Sequence, residues 1–269
     1  MPRRRRRSHC SDPMNLAPGA VATGVRLICC DTVGSTNAEA LARARAGETG
    51  PLWLTARVQT AGRGRRGRRW VSEPGNLFAT LLLADPAPPE RAPQLSFVAA
   101  LATHDAIVAL APALASRLAF KWPNDVLCDG AKVAGILIEA EGTRPLIVAV
   151  GIGVNCRSHP EVADYAAGDL GAAGAGVTAE NLFGALSDAM ANRLREWDAG
   201  FASIRAEWLR RAGPRGELRA RVGSRDIAGR FETIDETGRL VLRLADGTLE
   251  TMAAGEVFPI ASTATAMGR

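Results

Sequence analysis

The segment from Leu52 to Gly75 constrains the fold more than any other part of the chain. Leu52 to Gln59 alternates as a strand does and runs directly into Ala61-Gly62-Arg63-Gly64-Arg65-Arg66-Gly67-Arg68-Arg69-Trp70. That loop has five arginines in the eight residues 62–69 and no acid. It contains G-x-G-x-x-G, so a dinucleotide loop between a strand and a helix is the first reading to test. The sequence that follows refuses it. Pro74 and Gly75 fall within the opening turns of the required helix, and Asn76 to Leu83 reads as a buried strand instead. Asp85 stands near the distance expected of a ribose-binding acid, but it follows a strand where the helix should be.

Elsewhere strands and helices alternate in an α+β manner. Val25 to Cys30 is a strand; Ser35 or Thr36 can cap a helix that runs to Gly47. Residues 94–110 have the spacing of an amphipathic helix. Phe120 to Pro123 is a short strand. Asp129-Gly130 signals a hairpin between Val126-Leu127-Cys128 and Val133 to Ile138. Leu146 to Asn155 is a further strand, and helical sequence spans roughly 178–211. At Gly213-Pro214 the texture changes. Leu218 to Val222, Ile227 to Ile234, Leu240 to Leu244 and Leu249 to Met252, divided by turns, predict a small β-barrel. The chain is therefore expected to comprise a disordered basic tail over 1–20, a larger α+β domain over 21–212 and a barrel over 213–269.

The net charge of +5 is local: Arg3 to Arg7 less Asp12 place +4 of it on residues 1–13, with Met14 an alternative start. No apolar run is expected to reach the ~20 residues of a membrane span. Asp12, Pro13, Pro18 and Arg26 interrupt any signal peptide. Cys10, Cys29, Cys30, Cys128 and Cys156 contain no CxxC and are odd in number, which predicts a reducing cytoplasm. A nucleic-acid arm would suit the arginines, but no other basic stripe exists and only 13 aromatic residues are available for stacking. A solvated surface loop is the plain alternative. The three glycines favour a clamp, since they let backbone approach a ligand while guanidinium groups grip carboxylate or phosphate in pairs. Lys121-Trp122-Pro123-Asn124-Asp125 and Lys132 to Leu137 add two cations and a carboxylate beside turns, and Gly151-Ile152-Gly153-Val154-Asn155 adds a strand with a slot.

Taken together with Ser35-Thr36-Asn37, Gln59 to Arg68, Trp70 and Gly75-Asn76-Leu77, these segments make the chain resemble a biotin protein ligase over about residues 25–156. The resemblance implies a class II synthetase-like domain, with a mixed or antiparallel sheet and flanking helices, followed by an SH3-like barrel. It implies a cytoplasmic enzyme that uses ATP and Mg²⁺ to make biotinyl-adenylate from biotin and passes biotin to a lysine of a biotin carboxyl carrier protein. With 34 residues before Ser35, a monofunctional ligase without the N-terminal DNA-binding domain is expected, so neither specific DNA nor a membrane is a partner. A homodimer is left open, as are the metal ligands. A lipoate or octanoyl ligase on the same fold is the competing enzyme, and a non-enzymatic nucleic-acid binder the competing class.

By motif match, Ser35, Thr36, Asn37, Gln59, Gly62, Arg63, Gly64, Arg65, Lys132, Gly135 and Gly151 contact biotin, with Gly153 in the floor. Arg65, Trp70, Lys121, Asn124, Lys132 and Asn155 face the nucleotide. Arg65, Lys132 and Asp125 are the catalytic candidates, Lys132 to bridge carboxylate and α-phosphate, Asp125 to orient the carrier lysine or take its proton. Each has a plainer reading: a helix cap for Ser35, a core tryptophan for Trp70, an exposed turn lysine for Lys132, a turn cap for Asp125. Trp122 is expected to be structural, and Glu139 and Glu141 are undistinguished.

Overall fold

The computed structural model describes residues 14–161 and 165–260. The arginine run at the start of the expected tail and residues 261–269 of the expected barrel lie outside them. Residues 14–20 correct the expectation of a tail over 1–20. A one-turn helix α1 (Pro18–Val21) buries Ala20 completely, and the Ala17 N–H donates to Ser187 Oγ at 3.0 Å. Met14 and Leu16 are apolar and pack on the main core, which is why this stretch is held.

A seven-stranded sheet runs in the order β1-β2-β3-β7-β6-β5-β4. Its strands are β1 (Arg26–Val33), β2 (Leu52–Gln59), β3 (Leu77–Ala84), β4 (Leu118–Lys121), β5 (Asp125–Cys128), β6 (Ala131–Glu141) and β7 (Ile147–Val154). Only β1 and β2 are parallel, joined through α2 (Thr36–Arg45); the other pairs are antiparallel. The arginine loop thus links two antiparallel neighbours, β2 and β3, and no crossover helix follows it. Asp129 and Gly130 both adopt positive φ, 49° and 81°, as a two-residue hairpin turn requires.

Alternation along the strands gives the two faces different work. Leu77, Ala79 and Leu81 of β3 and Val148, Val150, Ile152 and Val154 of β7 join the main core under α3 (Leu95–Leu110), α4 (Ala179–Asp198) and α5 (Phe201–Arg210). The helical span expected over 178–211 breaks at Gly200, where φ is 141°. On the opposite face Leu82 packs with Leu52 and Ala40 beneath α2. Phe78, Gly151 and Gly153 on that face border a cleft.

Helix α3 is buried nearly all round. With the turn before it, Pro89–Leu110 has the length and mean hydropathy, 1.3, of a membrane span. This overturns the expectation of no such apolar run. The physical reason is its place: 72% of the apolar window is buried inside the protein, between the sheet and α4.

The second sheet is antiparallel throughout, in the order β11-β10-β9-β8-β12. It comprises β8 (Glu217–Val222), β9 (Arg225–Ile234), β10 (Leu240–Arg243), β11 (Leu249–Met252) and β12 (Glu256–Pro259). Specific bonds hold it to the first sheet's end and to α5. Trp122 Nε1 donates to Gly238 O at 3.0 Å, and Arg205 Nε donates to Ile234 O at 2.7 Å.

Candidate active site

A cleft of about 420 Å³ opens on the α2 face of the large sheet, and the edge of the second sheet forms one of its walls. At one end lies a wall of neutral polar groups. Ser35 occupies the N-cap position of α2, but its side chain caps nothing. The first helical N–H, that of Thr36, is satisfied instead by Gln59 Oε1 at 2.8 Å, across from the end of β2. Gln59 Nε2 donates to Ser72 Oγ at 3.0 Å. Asn37 is almost fully buried; its Nδ2 donates to Leu137 O at 3.1 Å and Glu139 Oε2 at 2.8 Å. Thr80 Oγ1 lies 2.7 Å from Asn37 Oδ1 and 2.8 Å from Thr36 Oγ1. Asn37 therefore has no free donor for a ligand, whereas Ser35, Thr36 and Gln59 keep unused capacity.

The floor is made of glycines because side chains press on it from above. A Cβ on Gly151 would collide with Asn37 Oδ1. One on Gly153 would sit 2.7–2.8 Å from the indole of Trp70, and one on Gly135, its register partner, 3.0 Å from the same ring. Trp70 thus lies across the two strands with the cleft beside it, and its Nε1 is buried without a hydrogen bond. Asn76 does not enter the cleft. Its Oδ1 accepts from the N–H groups of Cys156, Arg157 and Ser158, fixing the turn that follows β7.

Cations gather at the other end. Lys132 Nζ is 2.6 Å from Asp125 Oδ1 and stands over the rings of Trp70 and Tyr165, at 5.4 and 5.5 Å. Its side chain is 16% exposed and that of Asp125 15%, so Lys132 is no exposed turn lysine. The approach lacks hydrogen-bond geometry, which leaves Asp125 Oδ1 with acceptor capacity. Burial, with Lys132 nearby, pulls the Lys121 ammonium below its ordinary pKa, and Asp125 opposes this. Burial likewise lowers Arg65, whose Nη1 donates to Asn124 Oδ1 at 3.4 Å and to Gly255 O at 3.2 Å. The loop is fastened at its tip as well: Glu256 pairs with Arg66 and Arg68, and Arg66 donates to Arg221 O.

Of the residues expected at the site, Ser35, Thr36, Asn37, Gln59, Arg63, Gly64, Arg65, Trp70, Lys121, Asn124, Asp125, Lys132, Gly135, Gly151 and Gly153 line this cleft. Two do not. Gly62 lies behind it, packed against the Trp70 carbonyl, Ser72 and Gln59. Asn155 is buried and spends its Nδ2 on Gly168 O at 2.9 Å, bracing a loop. Sequence reasoning missed Tyr165 and the second sheet's contribution, Arg219, Arg221, Glu256 and Phe258. Arg219, Arg221 and Lys121 surround the Phe258 ring at 5.5–5.6 Å. Glu256 and Phe258 sit on β12, a strand four residues long with little pattern of its own.

Both sheets build the cleft, and comparison with known proteins divides along the same line. The model of the Biotin/lipoate A/B protein ligase family matches residues 34–155, and that of the Biotin protein ligase C terminal domain matches residues 217–258. A biotin–[acetyl-CoA-carboxylase] ligase of Paracoccus denitrificans is 47% identical over 234 residues, covering 83% of this chain and 96% of that protein. The chain belongs to the biotin protein ligase family. A Mycobacterium tuberculosis relative with the same description is 35% identical, over 83% of this chain and 85% of its own. Among solved structures, the family's Aquifex aeolicus protein in complex with biotin and ATP superposes with a TM-score of 0.73 at 26% identity, over 87% of this chain and 97% of that one.

Proposed function

We propose that the protein is an ATP-dependent biotin protein ligase. The observation that carries this reading is a single cleft in which a neutral polar wall and a cation cluster face each other across a glycine floor. The similarity to named ligases and to a complex holding biotin and ATP supports it. Biotin's cyclic urea is both donor and acceptor and suits Ser35, Thr36 and Gln59; its apolar valeryl chain suits the slot beside the Trp70 ring, whose edge Gly135, Gly151 and Gly153 help to line.

In the first step a carboxylate oxygen of biotin attacks the α-phosphorus of ATP, the bond to the β-phosphate bridge oxygen breaks, and pyrophosphate leaves. The nucleophile is already ionised, so the demand is electrostatic: two anions must meet while charge shifts onto the leaving phosphates. Lys132 bridges them. Arg65 holds phosphate or carboxylate under the closed loop, and Trp70 offers its flat ring to adenine. The cleft acids Asp125 and Glu256 already face cations and no group of three or more metal-ligating side chains occurs among the described residues, so these two acids would give Mg²⁺ little hold of their own; a Mg²⁺ accompanying ATP would supply positive charge to its phosphates. In the second step the carrier lysine nitrogen attacks the acyl carbon, the acyl–oxygen bond breaks and AMP leaves. Asp125 is the carboxylate we assign to orient the amine or to receive its proton.

A lipoyl group offers no urea, so it would leave the polar wall unpaired, and a site built that way rejects it strongly. The acceptor is proposed to be a biotin carboxyl carrier domain, and the compartment the cytoplasm, in keeping with four free cysteines among the described residues. Exchange of labelled pyrophosphate into ATP tests the reading: it should require biotin, and exchange with lipoate but not biotin would reverse it.

A further inference from the structure

We infer that Glu139, on β6, is a positioning residue that sets the proton pattern of the polar wall through Asn37 and Thr80. The inference rests on the reading of the cleft as a biotin site. Glu139 touches no part of the cleft surface itself. Its carboxylate meets Asn37 Nδ2 at 2.8 Å and Arg63 Nη2 at 3.2 Å, the latter from the start of the arginine loop.

The chain of consequence follows from counting hydrogens. A carboxylate only accepts, as does Leu137 O, so both hydrogens of the Asn37 amide point towards β6. Asn37 Oδ1 then faces Thr80 and can only accept. Thr80 has one proton, and it goes to Asn37, so the 2.8 Å contact between Thr80 and Thr36 requires the Thr36 hydroxyl to donate. The Thr36 contact to Gln59 Oε1 is longer, 3.1 Å, and that oxygen already holds the Thr36 backbone N–H. Thr36 Oγ1 therefore presents lone pairs to the cleft, beside the second amide hydrogen of Gln59 Nε2. An acceptor next to a donor is the complement of a cyclic urea edge, with its N–H and its carbonyl. Gly151 keeps the arrangement rigid, since Asn37 Oδ1 occupies the space a Cβ would need. Buried networks of this kind hold one pattern only while every member is satisfied.

The test is biotin affinity of the full chain by titration calorimetry without ATP, alongside the biotin and ATP dependence of pyrophosphate exchange. Glu139→Met removes the acceptor and should weaken biotin binding and raise its KM about tenfold, the worth of one misaligned hydrogen bond, with the KM for ATP unchanged. Glu139→Gln keeps an acceptor oxygen for Asn37 while giving up the charge that faces Arg63, and should stay within about threefold of wild type. Thr80→Val cuts the relay downstream, so adding Glu139→Met to it should cost little more, a non-additive cycle. Wild-type affinity in Glu139→Met would overturn the inference, as would a Gln variant as weak as the Met variant, or fully multiplicative losses in the double variant. Failure of the wild-type chain to bind biotin would sink the reading of the cleft instead.

Discussion

Replacing Lys132 by Gln separates the chemical role of its ammonium from its structural one. The side chain lies 2.6 Å from Asp125 and is 16% exposed, so its loss has two effects. In the proposed reaction, one preorganised cation between carboxylate and α-phosphate would be missing, which should lower biotin-dependent pyrophosphate exchange ~10²–10³-fold, roughly 3–4 kcal/mol. In the fold, Asp125 keeps a charge with reduced solvation. Breaking a fully buried pair from one side costs about 3–5 kcal/mol; for this partly exposed pair roughly 1–3 kcal/mol is expected. Each kcal/mol corresponds to a fall in Tm of about 2–4 °C in a domain of this size. Adding Asp125→Asn removes the stranded carboxylate, so the double variant should regain most of the lost Tm while exchange stays low. Exchange rates and melting curves on the two purified variants decide the matter. Wild-type exchange in Lys132→Gln would refute the role of the ammonium. Recovery of exchange in the double variant would show that the damage came from Asp125 alone.

Other outcomes follow from the same geometry. Trp122→Phe leaves Gly238 O without its donor and thins the contact between the sheets, so urea denaturation should show a loss of about 1–3 kcal/mol, with an unchanged midpoint contradicting the pinning role. Glu256→Gln releases Arg66 and Arg68 from an ion pair exposed on the arginine side. Stability should change by under about 1 kcal/mol, while trypsin cleavage within residues 62–69 should accelerate; equal cleavage rates would show that the pair does not fasten the loop. Burial pushes the Cys156 thiol up to about 12, so the folded chain favours the protonated form. Stability from this source is complete below the ordinary thiol value of 9.0 and is lost as pH rises from there through about 12. At pH 8 a thiol reagent should modify exposed Cys29 quickly and Cys156 only on unfolding, and rapid labelling of both would contradict the burial argument.

Much of the fold was legible in short-range pattern. Leu52 to Gln59 reads as a strand and is β2, although its first five residues are buried in succession rather than in alternation; Asp129-Gly130 is a two-residue turn whose chemistry allows two positive φ values, and it forms the β5–β6 hairpin. Pro74 and Gly75 excluded a helix, and β3 follows. What escaped depends on contacts between distant residues. Nothing local announces that Gln59 replaces Ser35 as the satisfier of the α2 N-terminus, or that Asn37 spends its donors on β6. Asn155 stands two residues after Gly153, where strand alternation alone would give both the same face, yet it lies past the end of β7 and its amide is spent on Gly168 O, away from the cleft. Glu256 and Phe258 come from a four-residue strand whose role exists only after the second sheet docks, and Pro89–Leu110 reads as apolar all round because core encloses it. Glu139 and Glu141 look alike in sequence; the structure gives one to Asn37 and Arg63 and the other to Arg45 at the surface.

The central claim is that one cleft joins biotin to a protein lysine at the expense of ATP. Incubating the full chain with biotin, ATP, Mg²⁺ and a purified biotin carboxyl carrier domain, and weighing the carrier by intact-mass spectrometry, tests it most directly. The account predicts a carrier heavier by one biotin joined through an amide, dependent on ATP and lost when the acceptor lysine is replaced. A carrier of unchanged mass beside an enzyme that is folded and saturated with both ligands would contradict it.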